Sequence, residues 1–140
     1  MTGKPRVKNA QKTAVDDHTF PSIMEAHRYN ELKLLMQAGI VKEIELQPAF
    51  SLLPTFWRCP DCGIIFGSAE LKKGRCRDCG KKLPATKGII YRADFRVTYA
   101  DGHQEIEDVK GMETEIFKLK RKMFEYRYPD LTIKLVKKVR

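Results

Sequence analysis

The amino-acid sequence predicts a single α/β domain of the α+β type, in which helices flank a mixed β-sheet. Two segments have the apolar spacing of helices, and the segments around them alternate apolar and polar residues as strands do. A length of 140 residues with 42% hydrophobic content suits one domain with a core of its own. Four cysteines in one short segment add a small metal-binding insertion.

The charge of the chain favours a polyanionic partner. Lys and Arg number 27 against 18 Asp and Glu, which gives a formal net charge of +9. We expect nucleic acid, with solubility alone as the alternative explanation. No run of about 18 apolar residues occurs, so no membrane span is expected. The N-terminus lacks the apolar segment of a secretory signal, so we expect a cytoplasmic protein.

The first helix is predicted from Ser22 to Ala38. Ser22 and Glu25 fit a capping box, and Gly39 ends the helical pattern. The stripe expected to face the core contains Glu25, Tyr29, Leu32 and Met36. A carboxylate on that stripe is unusual, and capping is its alternative role. The polar, basic residues 1–20 before the helix are predicted to form a flexible arm, with the core domain at 21–140.

The strand signals surround the cysteine segment. Residues 41–46 alternate as a strand, and residues 49–53 are expected to continue it past a bend at Gln47–Pro48. A strong alternation over 89–99, a turn at Asp101–Gly102 and a run over 104–110 predict a hairpin. Alternation predicts the two strands of the hairpin, and the turn between them determines which residues lie opposite each other.

The C-terminal part is predicted to contain a helix and a strand. The helix runs from about Thr114 to Tyr128, where Pro129 stops it, and a strand follows over 131–136. This last strand is expected to return parallel to its neighbour through a right-handed crossover. The apolar face of the helix is expected to consist of Ile116, Phe117, Leu119, Met123 and Phe124.

The cysteines form two copies of a C-x-x-C-G motif, at Cys59–Gly63 and Cys76–Gly80. Each C-x-x-C turn directs two thiolates to one point, and four thiolates in tetrahedral geometry suit a structural Zn²⁺. The alternatives are two disulfides, which do not fit a reducing cytosol, and a redox C-x-x-C, which does not explain two copies. The sequence therefore predicts a zinc ribbon at residues 57–86, with Cys59, Cys62, Cys76 and Cys79 as ligands.

Acidic residues in the hairpin suggest a second site. If the loop is Ala100–Gly102, the register places Asp94 directly opposite Asp108, and Lys110 shares the face of Asp108. Two carboxylates about 5 Å apart repel each other unless a cation lies between them. A two-residue turn would shift the register and place them on opposite faces. The metal-site hypothesis therefore depends on the loop length. The alternative is an Asp–Lys surface pair near the end of the hairpin, with Asp94 as a bulge or a solvent-exposed residue.

Two acids and a lysine at one point suit phosphodiester hydrolysis. Carboxylate oxygens bind Mg²⁺, which polarises a phosphate and lowers the pKa of a bound water. The lysine stabilises the developing phosphoryl charge, or it orients or deprotonates the attacking water. Glu25, on the inward stripe of the first helix, could complete the site.

Asp94 followed by Asp108-Val109-Lys110 resembles the PD-(D/E)xK motif of the restriction-endonuclease-like nucleases, with Ala93 in place of the motif proline. The predicted order αβββαβ is similar to the core of that family, and the ribbon resembles an insertion between its strands. The segments that resemble a phage and prophage branch of putative endonucleases are Glu25–Tyr29, Leu46–Pro48, Tyr91–Phe95 and Glu107–Gly111.

The resemblance implies a role for each residue of the motif. Asp94, Asp108 and the carbonyl of Val109 would bind Mg²⁺ or Mn²⁺, Lys110 would be the catalytic lysine, and Glu25 the helix acid. The implied protein is a Mg²⁺-dependent DNA endonuclease of a bacterial or phage-infected cytoplasm. It would act in recombination or repair, with branched DNA such as a Holliday junction as one candidate substrate, and a symmetric homodimer is one expectation.

Two other hypotheses remain open from the sequence. A non-catalytic zinc-ribbon accessory protein that binds nucleic acid explains the charge and the cysteines but leaves the acids and Lys110 unexplained. An RNA substrate ranks last, because no aromatic-rich strand pair of the RNA-recognition type occurs. The basic residues expected to hold DNA phosphates are Lys72, Arg75, Lys118, Arg121 and Lys122. Those of the ribbon could equally form a solvated rim.

Overall fold

A computed structural model describes residues 13–16, 18–67 and 74–137. In this part of the chain the secondary-structure elements are, in order, β1 (Thr13–Val15), β2 (His18–Phe20), α1 (Ile23–Gln37), β3 (Val41–Leu46), β4 (Ala49–Leu53), β5 (Phe56–Arg58), β6 (Ile65–Gly67), β7 (Ala85–Thr86), β8 (Ile89–Arg92), β9 (Phe95–Tyr99), β10 (Gln104–Val109), α2 (Glu115–Arg127) and β11 (Ile133–Val136). Neither helix is long and apolar enough to cross a membrane.

The described chain divides into two compact units. One comprises residues 13–16, 18–50 and 92–137, and the other comprises residues 51–67 and 74–91. The second unit contains the cysteine segment, and it is wider than the insertion predicted at residues 57–86. The strands β4 and β8 pair with each other and lie where the chain passes from one unit to the other.

The first unit contains a four-stranded mixed sheet with the order β11–β10–β9–β3. The strands β3, β9 and β10 are antiparallel neighbours, and β11 pairs in parallel with β10 after the chain has passed through α2. This arrangement confirms the predicted α+β class and the parallel return of the last strand. The sheet carries the hairpin on which the predicted acids lie.

The helix α1 covers one face of this sheet. The Oγ of Ser22 accepts a hydrogen bond from the Glu25 N–H at 3.2 Å, as the capping box predicts, and Gly39 follows the helix with φ of +78°. Its buried face contains Ala26, Tyr29 and Leu32 and packs in one cluster with Phe95 and Val97 of β9, among others. The packing fixes which face of β9 and β10 is turned towards α1.

The β9–β10 hairpin has the loop length that the metal-site hypothesis requires. The loop is three residues long: Tyr99 donates its N–H to the carbonyl of His103 at 2.9 Å, and Gly102 has φ of +93°. The ladder runs from Thr98 opposite Gln104 to Phe95 opposite Glu107. The ladder ends there, because the Asp94 N–H also donates to the Glu107 carbonyl, so Asp94 does not form the next regular pair with Asp108. The three-residue loop shows that the predicted alternative of a two-residue turn is wrong.

Two strands end where the sequence predicted continuous ones. The alternation over 89–99 is interrupted after Arg92, and β9 begins only at Phe95, because the Asp94 N–H donates to the Glu107 carbonyl at 3.0 Å. Likewise β4 does not continue β3: Gln47 lies between them with φ of +49°, in the left-handed region, and β4 pairs with β8. The bend at Gln47 and the interruption at Asp94 lie next to each other, since the Gln47 N–H donates to the Asp94 carbonyl at 2.8 Å.

The predicted flexible arm is wrong at its C-terminal end. Within residues 13–20, β1 and β2 form an antiparallel hairpin, and Phe20 is buried against Tyr29 with ring centroids 5.0 Å apart. Burying an aromatic ring is favourable enough to order a short segment. The rest of the predicted arm, residues 1–12, lies outside the described residues.

The predicted apolar face of α2 is also partly wrong. Phe117 and Phe124 are buried, whereas Ile116 and Leu119 are 59% and 56% exposed. Phe124 packs edge-to-face on Phe50 at 5.0 Å. The helix has apolar residues on more than one side, and the side with the two phenylalanines packs inward because aromatic rings bury the larger area.

In the cysteine unit, β5 is the central strand of a three-stranded antiparallel sheet with the order β6–β5–β7. Its core consists of Cys59, Phe66, Cys76 and Leu83, all buried. The unit is too small for a large apolar core, and the cysteines occupy its centre.

Candidate functional site

The four cysteines form one cluster in the structure. Their sulfur atoms all lie within 4.8 Å of one another, although fourteen positions separate Cys62 from Cys76 in sequence. Each C-x-x-C turn is closed by a glycine N–H that donates to the first cysteine carbonyl, from Gly63 at 2.8 Å and from Gly80 at 2.9 Å. Both glycines have positive φ, 70° and 73°, which explains why the motif has glycine there.

The sulfur separations fit a tetrahedral metal. A Zn²⁺ bound by four thiolates at about 2.3 Å has sulfur–sulfur separations of about 3.8 Å. Cys59 and Cys79 are 3.6 Å apart, and Cys62 and Cys76 are 3.9 Å apart. Disulfides, at about 2.05 Å, are excluded by these distances, and all four thiols are free. The cluster, named the cysteine cluster below, could therefore hold a metal such as zinc.

The electrostatics of the cysteine cluster favour a thiolate at neutral pH. A hydrogen bond from the backbone N–H of Cys62 lowers the pKa of the Cys59 thiol to about 7. The hydrogen bond with Cys59 in turn raises the pKa of Cys62 to about 12, because the nearby sulfurs cannot all carry charge without a cation. Metal ions bind the deprotonated form, so the lowered pKa of the Cys59 thiol favours metal binding.

The second candidate site lies at the open end of the β9–β10 hairpin. Asp94 and Asp108 are buried, with 2% and 0% exposure. The Oδ2 of Asp94 accepts a hydrogen bond from the Val109 N–H at 2.7 Å. This bond fixes the Asp94 carboxylate against the backbone between Asp108 and Lys110.

Lys110 lies beside this pair. Its Nζ is 3.5 Å from Asp108 Oδ1 and 4.7 Å from the centroid of the Phe117 ring, and only 16% of its side chain is exposed. Phe117 belongs to α2, so that helix helps to hold the lysine. The hairpin and α2 together bring Asp94, Asp108 and Lys110 to one place. Sequence reasoning placed Phe117 only in an apolar face and did not connect it with the lysine.

Glu107 and Arg28 form a buried ion pair that the sequence did not reveal. Arg28 donates from Nε and Nη2 to the two carboxylate oxygens of Glu107 at 2.7 and 2.8 Å, and Glu107 is 0% exposed. The hydrogen bond to Glu107 raises the pKa of Arg28 above its ordinary value. Glu107 faces α1, and its neighbour Asp108 faces the other side of the sheet.

Glu25 is buried, with 6% exposure, in the first turn of α1. Among the described residues, no group of three or more His, Cys, Asp or Glu side chains other than the cysteine cluster is close enough to hold a metal. Glu25 therefore does not join Asp94 and Asp108 as a third close ligand. It lies on the α1 side of the sheet, one helical turn from Arg28, whereas Asp108 and Lys110 lie on the α2 side.

The predicted phosphate-binding residues are distributed over both units. Lys118 and Lys122 are exposed on α2, and Arg121 donates to Glu113 at 2.9 Å while its guanidinium lies 5.5 Å from the Phe117 centroid. Arg75, in the cysteine unit, donates to the Gly80 carbonyl at 3.2 Å. Lys72 lies outside the described residues.

Fold and site together define an α+β protein with a four-cysteine cluster of the kind that holds a metal such as zinc. The family model described as "Protein of unknown function (DUF1064)" matches residues 6–140, and the chain belongs to that family. No curated protein and no solved structure matches the chain.

Proposed function

We propose that this protein is a Mg²⁺- or Mn²⁺-dependent endodeoxyribonuclease that hydrolyses phosphodiester bonds. The observation that carries the proposal is the convergence of Asp94, Asp108 and Lys110 at the open end of the hairpin. Asp94 is held by the Val109 N–H at 2.7 Å, and Lys110 lies 3.5 Å from Asp108. The order of helices and strands in the first unit, αβββαβ, supports the resemblance to the restriction-endonuclease-like nucleases.

The donor set suits a hard divalent cation. Asp94, Asp108 and the Val109 carbonyl are oxygen donors, which Mg²⁺ and Mn²⁺ prefer to sulfur or nitrogen. When bound, such a cation would polarise the scissile phosphate and lower the pKa of a bound water. The Val109 N–H orients the Asp94 carboxylate beforehand, so the chain does not have to reorganise when the cation binds.

Lys110 supplies the positive charge next to the acids. The ring of Phe117 and the carboxylate of Asp108 restrict the position of its ammonium group. A fixed ammonium can stabilise the charge that develops on the phosphoryl oxygens, and it can orient or deprotonate the attacking water. Its small exposure keeps the ammonium partly shielded from water, which strengthens both effects.

Glu25 takes a supporting role in this proposal. The chain reverses after α1, so α1 is antiparallel to β3. Both β3 and β10 are antiparallel to β9, so they run in the same direction, and α1 is antiparallel to β10 as well. The N-terminal end of α1 therefore lies towards the C-terminal end of β10, where Asp108 and Val109 are. At that end Glu25 could bind the cation through a water rather than directly.

The basic residues around Lys110 would hold the DNA backbone. Arg121 shares the Phe117 ring with Lys110, and Lys137 lies 3.3 Å from Glu113, the partner of Arg121. Exposed Lys118 and Lys122 extend the positive surface along α2. Such contacts neutralise phosphates without reading the base sequence, which suits cutting with little sequence preference, including cutting of branched DNA.

The cysteine cluster would hold a structural Zn²⁺. Four thiolates fill a tetrahedral shell and leave no position for a substrate, so this ion would stabilise residues 51–91 and take no part in cleavage. The two metals would thus have separate sites with different donor chemistry.

The test is a cleavage assay on supercoiled plasmid and on a four-way junction, with Mg²⁺ and with EDTA. We expect cleavage by the wild type in Mg²⁺ only, and none by Asp108→Ala. Asp101→Asn is the matched control, because Asp101 is an exposed acid in the loop of the same hairpin. Equal activity of Asp108→Ala and wild type, or intact DNA in every reaction, would reject the proposal.

A second candidate is a non-catalytic nucleic-acid-binding protein that uses the cysteine unit. The observation in its favour is that the cysteine cluster has complete ligand geometry independently of the acids. It predicts DNA binding that is lost in Cys59→Ser and retained in Asp108→Ala, with no cleavage by either protein. Binding and cleavage measured on the same preparations therefore distinguish the two functions.

A further inference from the structure

The guanidinium of Arg28 is held by two acids at the end of the β9–β10 ladder. It donates from Nε and Nη2 to both carboxylate oxygens of Glu107 at 2.7 and 2.8 Å, and from Nη1 to Glu31 at 2.9 Å. Only 12% of the Arg28 side chain is exposed, and the Glu107 side chain is completely buried. A planar guanidinium that is bound bidentately by one acid and again by a second has a single orientation. The helix α1 is therefore attached to β10 at a defined point.

That point is where the pairing of β10 with β9 ends. The ladder stops at Phe95 opposite Glu107, and the Glu107 carbonyl also accepts the Asp94 N–H at 3.0 Å. Further along β10, Asp108 and Val109 continue in the parallel ladder with β11. Glu107 thus contacts α1 through its side chain and Asp94 through its carbonyl, and it directly precedes Asp108 in the chain. One residue connects the helix with both acids of the proposed cation site.

Stability alone does not explain an ion pair at this position. Two buried charges carry a desolvation penalty, and apolar side chains of similar volume often stabilise a core as well or better. The bidentate pair adds a fixed distance and orientation between α1 and β10, which apolar contacts do not impose because they are not directional. Glu25 lies three residues before Arg28, about 4.5 Å along the helix, so fixing Arg28 also fixes Glu25.

We propose that Arg28 is a positioning residue for the cation at Asp94 and Asp108. Through Glu107 it holds the end of β10 and the first turn of α1 in the geometry that the cation requires. The inference rests on the proposed function, because it concerns the same cation site. Arg28 acts from the α1 side of the sheet and does not itself bind the cation. Replacing residues that orient metal ligands changes metal affinity or activity by about 10- to 100-fold.

The charge of Arg28 and its geometry predict opposite effects on the cation. Arg28→Met removes a positive charge near the two acids, so a purely electrostatic role predicts tighter cation binding. A positioning role predicts weaker binding, because the ligands of β10 lose their fixed placement. The double variant, Arg28→Met with Glu107→Leu, leaves the net charge unchanged. Only the lost geometry can then change the affinity.

The experiment is a Mn²⁺ titration of the zinc-loaded full chain, followed by the electron paramagnetic resonance signal of free Mn²⁺. It is run at a temperature where circular dichroism shows each measured protein folded, and Asp108→Ala identifies the binding that belongs to the acids. We expect Arg28→Met and the double variant each to raise the Kd of this binding about tenfold or more. Glu31→Gln, which keeps the bidentate contact with Glu107, should change the Kd less than about twofold. The double variant decides the question if Arg28→Met does not fold, because it removes both buried charges.

The outcomes separate a positioning role from a structural one. A double variant that recovers the Kd of the wild type together with its stability overturns the proposal, because the pair would then only support the fold. Tighter binding by Arg28→Met, or a Kd that Glu31→Gln raises as much as Arg28→Met does, also overturns it.

The same titration separates this inference from the proposed function. A wild type whose Mn²⁺ binding does not depend on Asp108 overturns both. A wild type that binds Mn²⁺ through Asp108 but leaves every DNA substrate intact rejects the proposed cleavage alone, and the Kd values of the variants still decide the role of Arg28.

Discussion

The buried pair of Arg28 and Glu107 allows a quantitative prediction about stability. Arg28 holds both carboxylate oxygens of Glu107 at 2.7 and 2.8 Å, and the Glu107 side chain is completely buried. Replacing Arg28 with Met preserves much of its apolar stem but removes every donor. The Glu107 carboxylate would then be a buried charge without the guanidinium that now binds it.

The burial of Glu107 determines how much stability Arg28→Met should lose. Breaking a buried ion pair by removing one partner costs about 3–5 kcal/mol, because the remaining charge keeps its desolvation penalty. For a domain of this size we expect Tm to fall by about 10–20 °C. Replacing both residues, as in Arg28→Met with Glu107→Leu, removes both charges, so the double variant should recover most of the lost free energy of unfolding.

Urea unfolding at pH 7 in the presence of zinc measures these differences. The control is Glu31→Gln, since Glu31 also accepts from Arg28, at 2.9 Å, but its side chain is 39% exposed and should contribute less than about 1 kcal/mol. A loss below about 1 kcal/mol for Arg28→Met would refute the reasoning. A double variant as unstable as the sum of the single variants would refute it equally.

Three further predictions concern the two candidate sites and the cysteine unit. Phe117→Leu should lower the single-turnover cleavage rate about tenfold with unchanged DNA affinity and a shifted pH–rate profile, because Lys110 loses the ring that holds it. Gly88→Ala should destabilise the cysteine unit by about 1–3 kcal/mol, because the added Cβ would lie 2.2 Å from the Leu53 carbonyl oxygen. Gly67→Ala, whose Cβ meets no atom within 4 Å, is the control, and both are measured by thermal unfolding. Metal analysis should find one zinc per chain, and its removal by a chelator should unfold residues 51–91 as followed by hydrogen exchange.

The structural features that could be predicted from sequence are those that a few neighbouring residues determine. The cysteine spacing and the glycine after each motif determine the turns of the cysteine cluster. The three-residue loop ending in Gly102 determines the register of the hairpin from Thr98 opposite Gln104 to Phe95 opposite Glu107, which leaves Asp94 next to the end of β10. In both cases a few adjacent residues decide the geometry.

The parts that could not be predicted depend on packing between distant segments. Arg28 and Glu107 are 79 positions apart, and nothing local to either indicates that α1 covers that face of β10. Phe50 decides which apolar side of α2 packs inward, because it packs against Phe124 although the two residues are far apart in sequence. The end of β3 at Gln47 depends on a left-handed conformation that a non-glycine residue seldom adopts.

The most direct test of the central claim is the single-turnover rate of DNA cleavage in Mg²⁺ for the wild type and for Asp94→Asn. The asparagine oxygen can still accept the Val109 N–H that now binds Asp94 at 2.7 Å, so the fold is preserved while the charged metal ligand is lost. We predict that the wild type cleaves and that the variant is at least about a hundredfold slower, with equal DNA binding. Equal rates for the two proteins, or no cleavage by the wild type, would contradict the account.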